Sequence, residues 1–594
     1  MEHIDRDHDR RVTRRTLVKG GLIAGGALAG AGLAIRAAGG AGERSATVPG
    51  RVVSSASSAS APKQAKPNIL VILVDQLRFP QWLSPTALGP GLPPNLARLR
   101  NGAVTFARHY TVSNDCTPSR AALLTGLYTH QTGCMITGGS TLDAGFPTWG
   151  TMLREHGYHT RWYGKWHLTH HDNLWYGLGG ERALERYGFA GGTFPSPDGA
   201  PGQGWRVDPR IARQFADWFA QEGASGPWCT TVSFVNPHDI AWWYVWSDRV
   251  AAEAASAPIA RRLPPNFETP EMLLARRKPR LQRALQATAA TSFGPVPFHG
   301  ADAERMWLTF MSLYAKLQLE VDAHVGSVLD ALASQPEVAA NTVIVFTSDH
   351  GEYGASHGLR GKGAGAYEEG TRVPLIVKDP RGRLTAAPER VRSQLSTSVD
   401  IPPLLLTIAN GSDDWRSDPH YAHIARRLDL ASILADAAAP GRPYVVHATD
   451  EVVTEFAIEP YARDAPLHVT AIRTPAAKYA TYSHWPHGSV EPQLTGQEAE
   501  LYDYRDHEGR LELQNSAGQS PLEEPLRKEL EHAVAHELRE PLPSYLQPAR
   551  DRGFADYFST AKRSAKGAAA ARKRHSERVV GTLRPGDTGE GRHN

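Results

Sequence analysis

Cysteine is scarce. Cys116, Cys134 and Cys229 are the only three in 594 residues, which excludes a disulfide framework. If one of them has a chemical duty, a single pair remains. A membrane-spanning run is missing near the N-terminus: Gly20 to Ile35 is sixteen residues, rich in Gly and Ala, and short of the roughly 20 apolar residues a span needs. Lopsided charge is missing as well. The net charge is +3, with +3 in residues 1–36, +5 in residues 551–594 and −5 between them. A mildly acidic body with basic ends gives no argument for nucleic acid. No internal repeat is visible. What is present is ordinary for a globular protein: 41% hydrophobic and 21% charged residues. The length suits one large core plus a smaller domain.

The ends read as accessories. Thr13-Arg14-Arg15-Thr16-Leu17-Val18-Lys19 precedes the Gly/Ala run and looks like a twin-arginine export signal, which makes residues 1–36 a targeting segment and the twin-arginine translocase a partner. The product would be periplasmic, cell-surface or secreted. Ala59-Ser60-Ala61 has a cleavage-site form, but Pro62 disfavours cutting; an uncut signal would be the chain's only membrane attachment. Residues 37–66, rich in Ala, Gly and Ser, read as a linker. Residues after 548, rich in Ala, Lys and Arg, read as a basic disordered tail.

Between them, strand-like and helix-like segments alternate. Asn68 to Val74 is a continuous apolar run fit for a strand buried on both faces. Tyr158 to Tyr163, Trp228 to Val235 and Thr342 to Thr347 read as further strands. Asn95 to Asn101, Pro118 to Leu124, Pro209 to Gln221 and Ala303 to Ala333 read as helices. The alternation predicts an α/β fold with a mostly parallel sheet over residues 67–410. Residues 380–440 read as an irregular junction. A β-rich pattern from Arg442 to Tyr504 predicts a smaller α+β subdomain, 411–548.

Chemically suggestive residues follow each predicted strand: Asp75 and Gln76 the first, Lys165 and His167 the second, His238 the third, Asp349 and His350 the fourth. Ligands of open α/β sheets bind at such carboxyl ends. Between the first two strands lies Cys116-Thr117-Pro118-Ser119-Arg120, followed by an apolar pair and Thr125-Gly126. Pro118 suits a first helical turn, and a helix N-terminus favours an anion. Trp242, Trp243, Tyr244 and Trp246 follow His238 and suit either an aryl or sugar pocket or core packing.

As a set and in order, these motifs resemble those of the type I, formylglycine-dependent sulfatases of the alkaline phosphatase superfamily. The likeness covers Cys116 to Gly126, Gly157 to His167, Asn236-Pro237-His238, Ser348 to Gly351 and Gly361-Lys362-Gly363. Weaker support comes from Glu500-Leu501-Tyr502-Asp503-Tyr504 and Asn515. The resemblance implies an alkaline-phosphatase-like fold, a large sheet sandwiched by helices with a smaller C-terminal subdomain. It implies a sulfuric ester hydrolase acting on a small sulfate ester, with Cys116 oxidised to formylglycine by a generating enzyme. Asp75, Gln76, Asp349, His350 and the modified Cys116 would hold one divalent metal. Oxygen donors favour calcium or magnesium, with calcium preferred, and the histidine admits manganese. Arg120 would orient or neutralise the nucleophile, Lys165 and Lys362 would bind sulfate, His167 would contact the nucleophile, and His238 would protonate the leaving alcohol.

Two departures stand out. Gln76 replaces the commoner second aspartate, and Asn114-Asp115 replace small or apolar residues before the cysteine. Gln76 keeps open a phosphonate monoester hydrolase or phosphodiesterase using the same nucleophile. A non-catalytic binding protein on the same scaffold is a more distant alternative. The charges of Glu368-Glu369-Gly370-Thr371-Arg372 read as a structural Arg–Glu pair entering a strand.

Overall fold

The apolar run that opens the catalytic region is β1, Asn68–Val74, and every residue of it is buried. In the computed structural model, residues 66–582 are described except 80–92, 170–181, 247–257, 451–463 and 487. The export signal, nearly all of the linker and the last twelve residues therefore lie outside the described residues. With β2 (Val104–Tyr110), β3 (His159–Gly164), β4 (Ala190–Gly191), β5 (Trp228–Phe234), β6 (Thr342–Ser348), β7 (Arg372–Lys378) and β8 (Arg392–Thr397), β1 forms an eight-stranded sheet of order β4-β3-β5-β1-β6-β7-β2-β8. Strands β4, β3, β5, β1 and β6 run parallel. β7 is antiparallel to both its neighbours.

Side chains alternate across a strand, so β1 feeds two cores. Ile69, Val71 and Leu73 pack with Leu123, Leu124, Trp149 and Leu405 on one face. Leu70, Ile72 and Val74 pack with Phe215, Trp218, Val321 and Val328 on the other. The second group lies on helices Gln203–Glu222 and Ala303–Ala333, the first on Cys116–Thr125, Trp149–Glu155 and Ile401–Asn410. Each fully buried aliphatic side chain contributes about 1.5–3 kcal/mol to this sandwich.

A second sheet is antiparallel, in order β12-β11-β10-β9: β9 Val445–Thr449, β10 His468–Arg473, β11 Ala477–Ser483 and β12 Glu498–Asp503. Leu526 and Leu530 of helix Glu523–Ala533 pack on its Ile472 and Tyr479. The fold is thus α/β, with a large mostly parallel sheet and a small C-terminal antiparallel one.

Three sequence expectations change. The region 380–440 holds β8 and the apolar helix Ile401–Asn410 rather than an irregular junction. Trp415, Tyr421, Ile424, Leu430 and Ile433 pack in the first core, so a boundary at 410/411 cuts through it. The tail is not structureless: Gln547–Thr582 is helical. Ala, Lys and Arg favour helix, and Phe554 and Tyr557, one turn apart, bury against Met135 and Ile136. This helix lies tightly on the segment that follows the Cys116 helix. A Cβ on Gly133 would stand 2.5 Å from the Gly553 carbonyl carbon. Thr560 Oγ1 donates to Gly139 O at 2.8 Å, and Arg552 pairs with Asp143 at 2.6 Å. Cys134 and Cys229 are not disulfide-bonded, and both are buried in the first core.

Candidate active site

The register of the parallel strands sets their ends level. Val74 of β1 stands opposite Phe234 of β5 and Ser348 of β6, and Gly164 of β3 opposite Ser233. Asp75, Lys165 and Asp349 therefore leave the sheet side by side. Glycine is required at 164, where φ is 102° and a Cβ would lie 1.9 Å from Ser233 O. Gln76 and His167 hold left-handed backbone, φ 62° and 57°, a cost of order 1–3 kcal/mol that recurs at functional turns.

Cys116 opens helix Cys116–Thr125, which ends on Gly126 in the left-handed region. Asp115 is its N-cap: Oδ1 accepts from Cys116 N at 2.8 Å and from Thr137 Oγ1 at 2.9 Å. The acidic residue unexpected before the cysteine thus has a structural duty. One turn on, Arg120 is fully buried. Its N–H groups reach Asp349 Oδ2 at 2.8 Å, Asp75 Oδ2 at 3.0 Å, Lys165 O at 2.8 Å and Ser233 Oγ at 3.0 Å. The guanidinium clamps the two aspartates, whereas the sequence placed it on the nucleophile.

Around the Cys116 sulfur stand Lys362 Nζ at 2.8 Å, His350 Nε2 at 3.2 Å, Lys165 Nζ at 3.5 Å and the Asp75 carboxylate at 3.8–3.9 Å. His167 and His238 also hydrogen-bond to it. Lys165 Nζ lies 2.6 Å from Asp75. Gln76 N donates to Asp349 Oδ1 at 3.1 Å, and its Oε1 accepts from Lys362 at 3.1 Å. Every sequence-predicted site residue is therefore in one cluster.

Asp75, Cys116, Asp349 and His350 offer donor atoms within 4.8 Å of one another. His350 Nε2 is 3.6 Å from Asp75 Oδ1 and 3.8 Å from Asp349 Oδ1, close to the spacing of neighbouring ligands bound at about 2.3–2.6 Å. His350 Nδ1 lies 2.9 Å from Gly351 O, which fixes the tautomer and presents Nε2, as the outer shell of a metal-binding histidine does. This donor set fits a hard or borderline divalent cation.

The electrostatics favour an anion at position 116. Burial opposes the Cys116 thiolate, but Lys165, Lys362 and His350 outweigh it and hold the thiol well below its ordinary value. Burial also opposes protonation of His350, yet Asp349 and the thiolate lift it to about 9; the pocket among these carboxylates wants a positive charge. His238 is pushed down to about 3 by burial and then by Lys362 and Lys165. It enters the site as neutral imidazole, not as the ready acid the sequence suggested.

Above the cluster opens a cavity of about 460 Å³. Its walls are mainly apolar, with Trp242, Trp243, Leu285, Phe293, Phe310 and Leu359 among them. Trp242 Nε1 donates to Gly199 O at 2.7 Å and its ring meets Phe293 edge-on at 5.7 Å. Arg360 is tied into the wall through Ala289 O at 2.9 Å and Gly294 O at 2.6 Å. Sequence reasoning missed Glu352, Arg360 and Gly199. Glu352 directly follows the Ser348–Gly351 motif and Arg360 directly precedes Gly361-Lys362-Gly363, which is the signal that could have found them.

A model of the sulfatase family matches residues 67–412. A protein named as an uncharacterized sulfatase of Escherichia coli is 28% identical over 384 residues, covering 58% of this chain and 68% of that protein. Among solved structures, a 2-O GAG sulfatase shares the fold with a TM-score of 0.59 at 23% identity, covering 81% of this chain and 97% of the other. A phosphonate monoester hydrolase from Silicibacter pomeroyi does so with 0.58 at 21%, again over 81% and 97%. At those identities the structural likeness speaks for the fold alone.

Proposed function

The chain belongs to the sulfatase family and is a hydrolase of sulfate esters, and from that premise we propose that residue 116, as formylglycine, attacks sulfur in a metal-assisted site. The observation that carries this is the convergence of Lys165, Lys362, His350 and Asp75 on the Cys116 sulfur at the head of a helix. Hydrated formylglycine supplies one hydroxyl to attack sulfur and a second to expel sulfate, so no water need attack the ester. Asp75, Gln76, Asp349, His350 and the modified residue 116 would hold a divalent cation, which would supply Lewis-acid chemistry at the nucleophile and the sulfate; calcium is favoured over manganese or magnesium.

The chain's own groups do the rest. Lys165 and Lys362 bind the sulfate oxygens in a buried site, where such contacts are strong. Arg120 holds Asp75 and Asp349 in place. His238 takes up a proton only once sulfate offsets the neighbouring ammoniums, and then delivers it to the leaving oxygen. The aromatic cavity wall favours an apolar or aryl leaving group over a polyanionic sugar.

The decisive test is mass spectrometry of the tryptic peptide His109–Arg120 from the native host or one co-expressing the modifying enzyme. Loss of the sulfur with two hydrogens and gain of one oxygen at residue 116 is expected; an intact cysteine overturns the mechanism. Higher kcat/KM for an aryl sulfate than for a phosphonate monoester is expected, and the reverse order would install the rival hydrolase. Twin-arginine export belongs to the same proposal, resting on Arg14 and Arg15. Replacing both with lysine should retain the protein in the cytoplasm, read by cell fractionation.

A further inference from the structure

Gln76 is the one amide in the proposed ligand set, and it is bound at both ends. Nε2 donates to Glu352 Oε2, and Oε1 accepts from Lys362 Nζ at 3.1 Å. The reverse orientation would set an NH2 against an ammonium and a carbonyl against a carboxylate, so the neighbours determine which end is which. The backbone is held too, by the Asp349 carboxylate on Gln76 N and by Tyr314 OH donating to Gln76 O at 2.7 Å.

Glu352 is completely buried. Its Oε1 accepts from Gly354 N at 3.1 Å and from Gly361 N at 2.6 Å. With Gln76 Nε2, three N–H donors converge on it and favour the carboxylate form, against burial, which pushes its carboxyl up. Gly361 adjoins Lys362, so one carboxylate holds both the Gln76 amide and the turn that carries the sulfate-binding lysine. A buried carboxylate is costly unless something nearby uses its charge. Here the adjacent inner site lacks one negative charge, because an amide occupies the second position after β1.

We propose that Glu352 is a positioning residue: it turns the Gln76 carbonyl oxygen toward the cation site and supplies, one residue further out, the negative charge that Gln76 lacks. This rests on the metal reading above. The site is then a transposed pair, amide inside and carboxylate outside.

The experiment is calorimetric titration of chelator-treated full-length protein with Ca2+ and with Mn2+, alongside a thermal melt of each metal-free variant. Glu352→Gln should weaken cation binding by about 10–100-fold, the usual effect of losing an outer-shell partner, with little change in metal-free melting. Gln76→Glu combined with Glu352→Gln exchanges the two groups at equal length and should recover most of the lost affinity. Gln76→Glu alone sets its carboxylate against that of Glu352 and should melt lower without metal. If Glu352→Gln binds cation as tightly as the parent, or the exchanged pair is folded yet no tighter than Glu352→Gln, the positioning role is wrong and the metal reading survives. If the parent chain binds neither cation, the metal reading falls and this inference falls with it. Should Glu352→Gln fail to fold, the exchanged pair, which keeps the hydrogen bond, still decides.

Discussion

Asp75, Cys116, Asp349 and His350 bring donor atoms within 4.8 Å of one another, and so do His357, Glu369 and Glu512; the surroundings of the two groups differ. In the second, the donor residues pair with protein groups away from the cavity above Cys116. His357 Nδ1 lies 2.6 Å from Glu268, and Glu369 accepts from Asn266 at 2.9 Å and faces Arg78. Glu512 pairs with Lys478 at 2.6 Å and accepts from Tyr504 at 2.6 Å. Lys278 lies between Glu268 and Glu500, whose carboxylate also receives three tyrosine hydroxyls. None of the three donors lines the cavity above Cys116. In the first group two ammoniums aim at one sulfur beneath that cavity. Closed charge makes a frame, whereas charge left facing a space makes a binding site. Proximity of metal-type ligands does not tell them apart, and neither does partnering, since Asp75, Asp349 and His350 are hydrogen-bonded too; the cavity that reaches Cys116 does.

Breaking each region should therefore give opposite phenotypes. The largest effect expected is on turnover: Cys116→Ala should remove about 10⁴-fold or more of kcat/KM and change unfolding free energy by only about 1–2 kcal/mol, read by steady-state kinetics and urea titration. Lys278→Met should do the converse. It removes the cation shared by two buried carboxylates, Glu268 and Glu500, at a cost of about 3 kcal/mol in urea titration, while turnover per folded molecule persists.

Acid should expose the same contrast more gently. Burial holds His109, His238 and His447 at about 3 and His130 and His423 at about 4. The unfolded chain binds these protons below about 6.5. Stability is thus kept above that value and lost as pH falls toward 4, by up to about 1.4 kcal/mol per pH unit for each histidine. His357 has the opposite sign: despite burial, Glu268 and Glu369 raise it. Its contribution is full below about 6.5 and fades as pH rises through its folded value. His357→Gln should therefore cost more stability at pH 6 than at pH 9. The smallest effect is none: the same substitution should leave the stoichiometry of divalent cation binding unchanged, measured by elemental analysis after dialysis. A loss of bound metal would make the second cluster a metal site and erase the distinction.

Most of the first region was legible in the sequence because its parts sit at strand ends. An apolar run followed at once by Asp75-Gln76, or by Asp349-His350, states both the strand and the edge it serves. The frame was not legible. Its members run from Glu268 to Glu512 and meet only through the tertiary fold. The Arg–Glu pairing near β7 was anticipated, and Arg372 does lie 3.7 Å from Glu368. The reach of Arg120 to the aspartates was not, because helical spacing gives its face and not its partners. Asp115 looked like an anomaly because a cap is visible only once the helix start is known. The last helix was read by composition, although Phe554 and Tyr557 already marked a buried face.

That helix also sets an order of events. Gly553 and Thr560 seat against Gly133 and Gly139, in the segment whose Thr137 bonds the cap of the Cys116 helix. On a ribosome, residue 553 is joined 437 residues after Cys116, a delay of order 20–90 s at about 5–20 residues per second. Cys116 is buried in the finished fold, at the floor of the cavity. On the proposal above, conversion of its thiol to an aldehyde by another enzyme would fall before the C-terminal helix seats and narrows access to it. Translation speed, and not only sequence, then sets what fraction of molecules leaves synthesis competent.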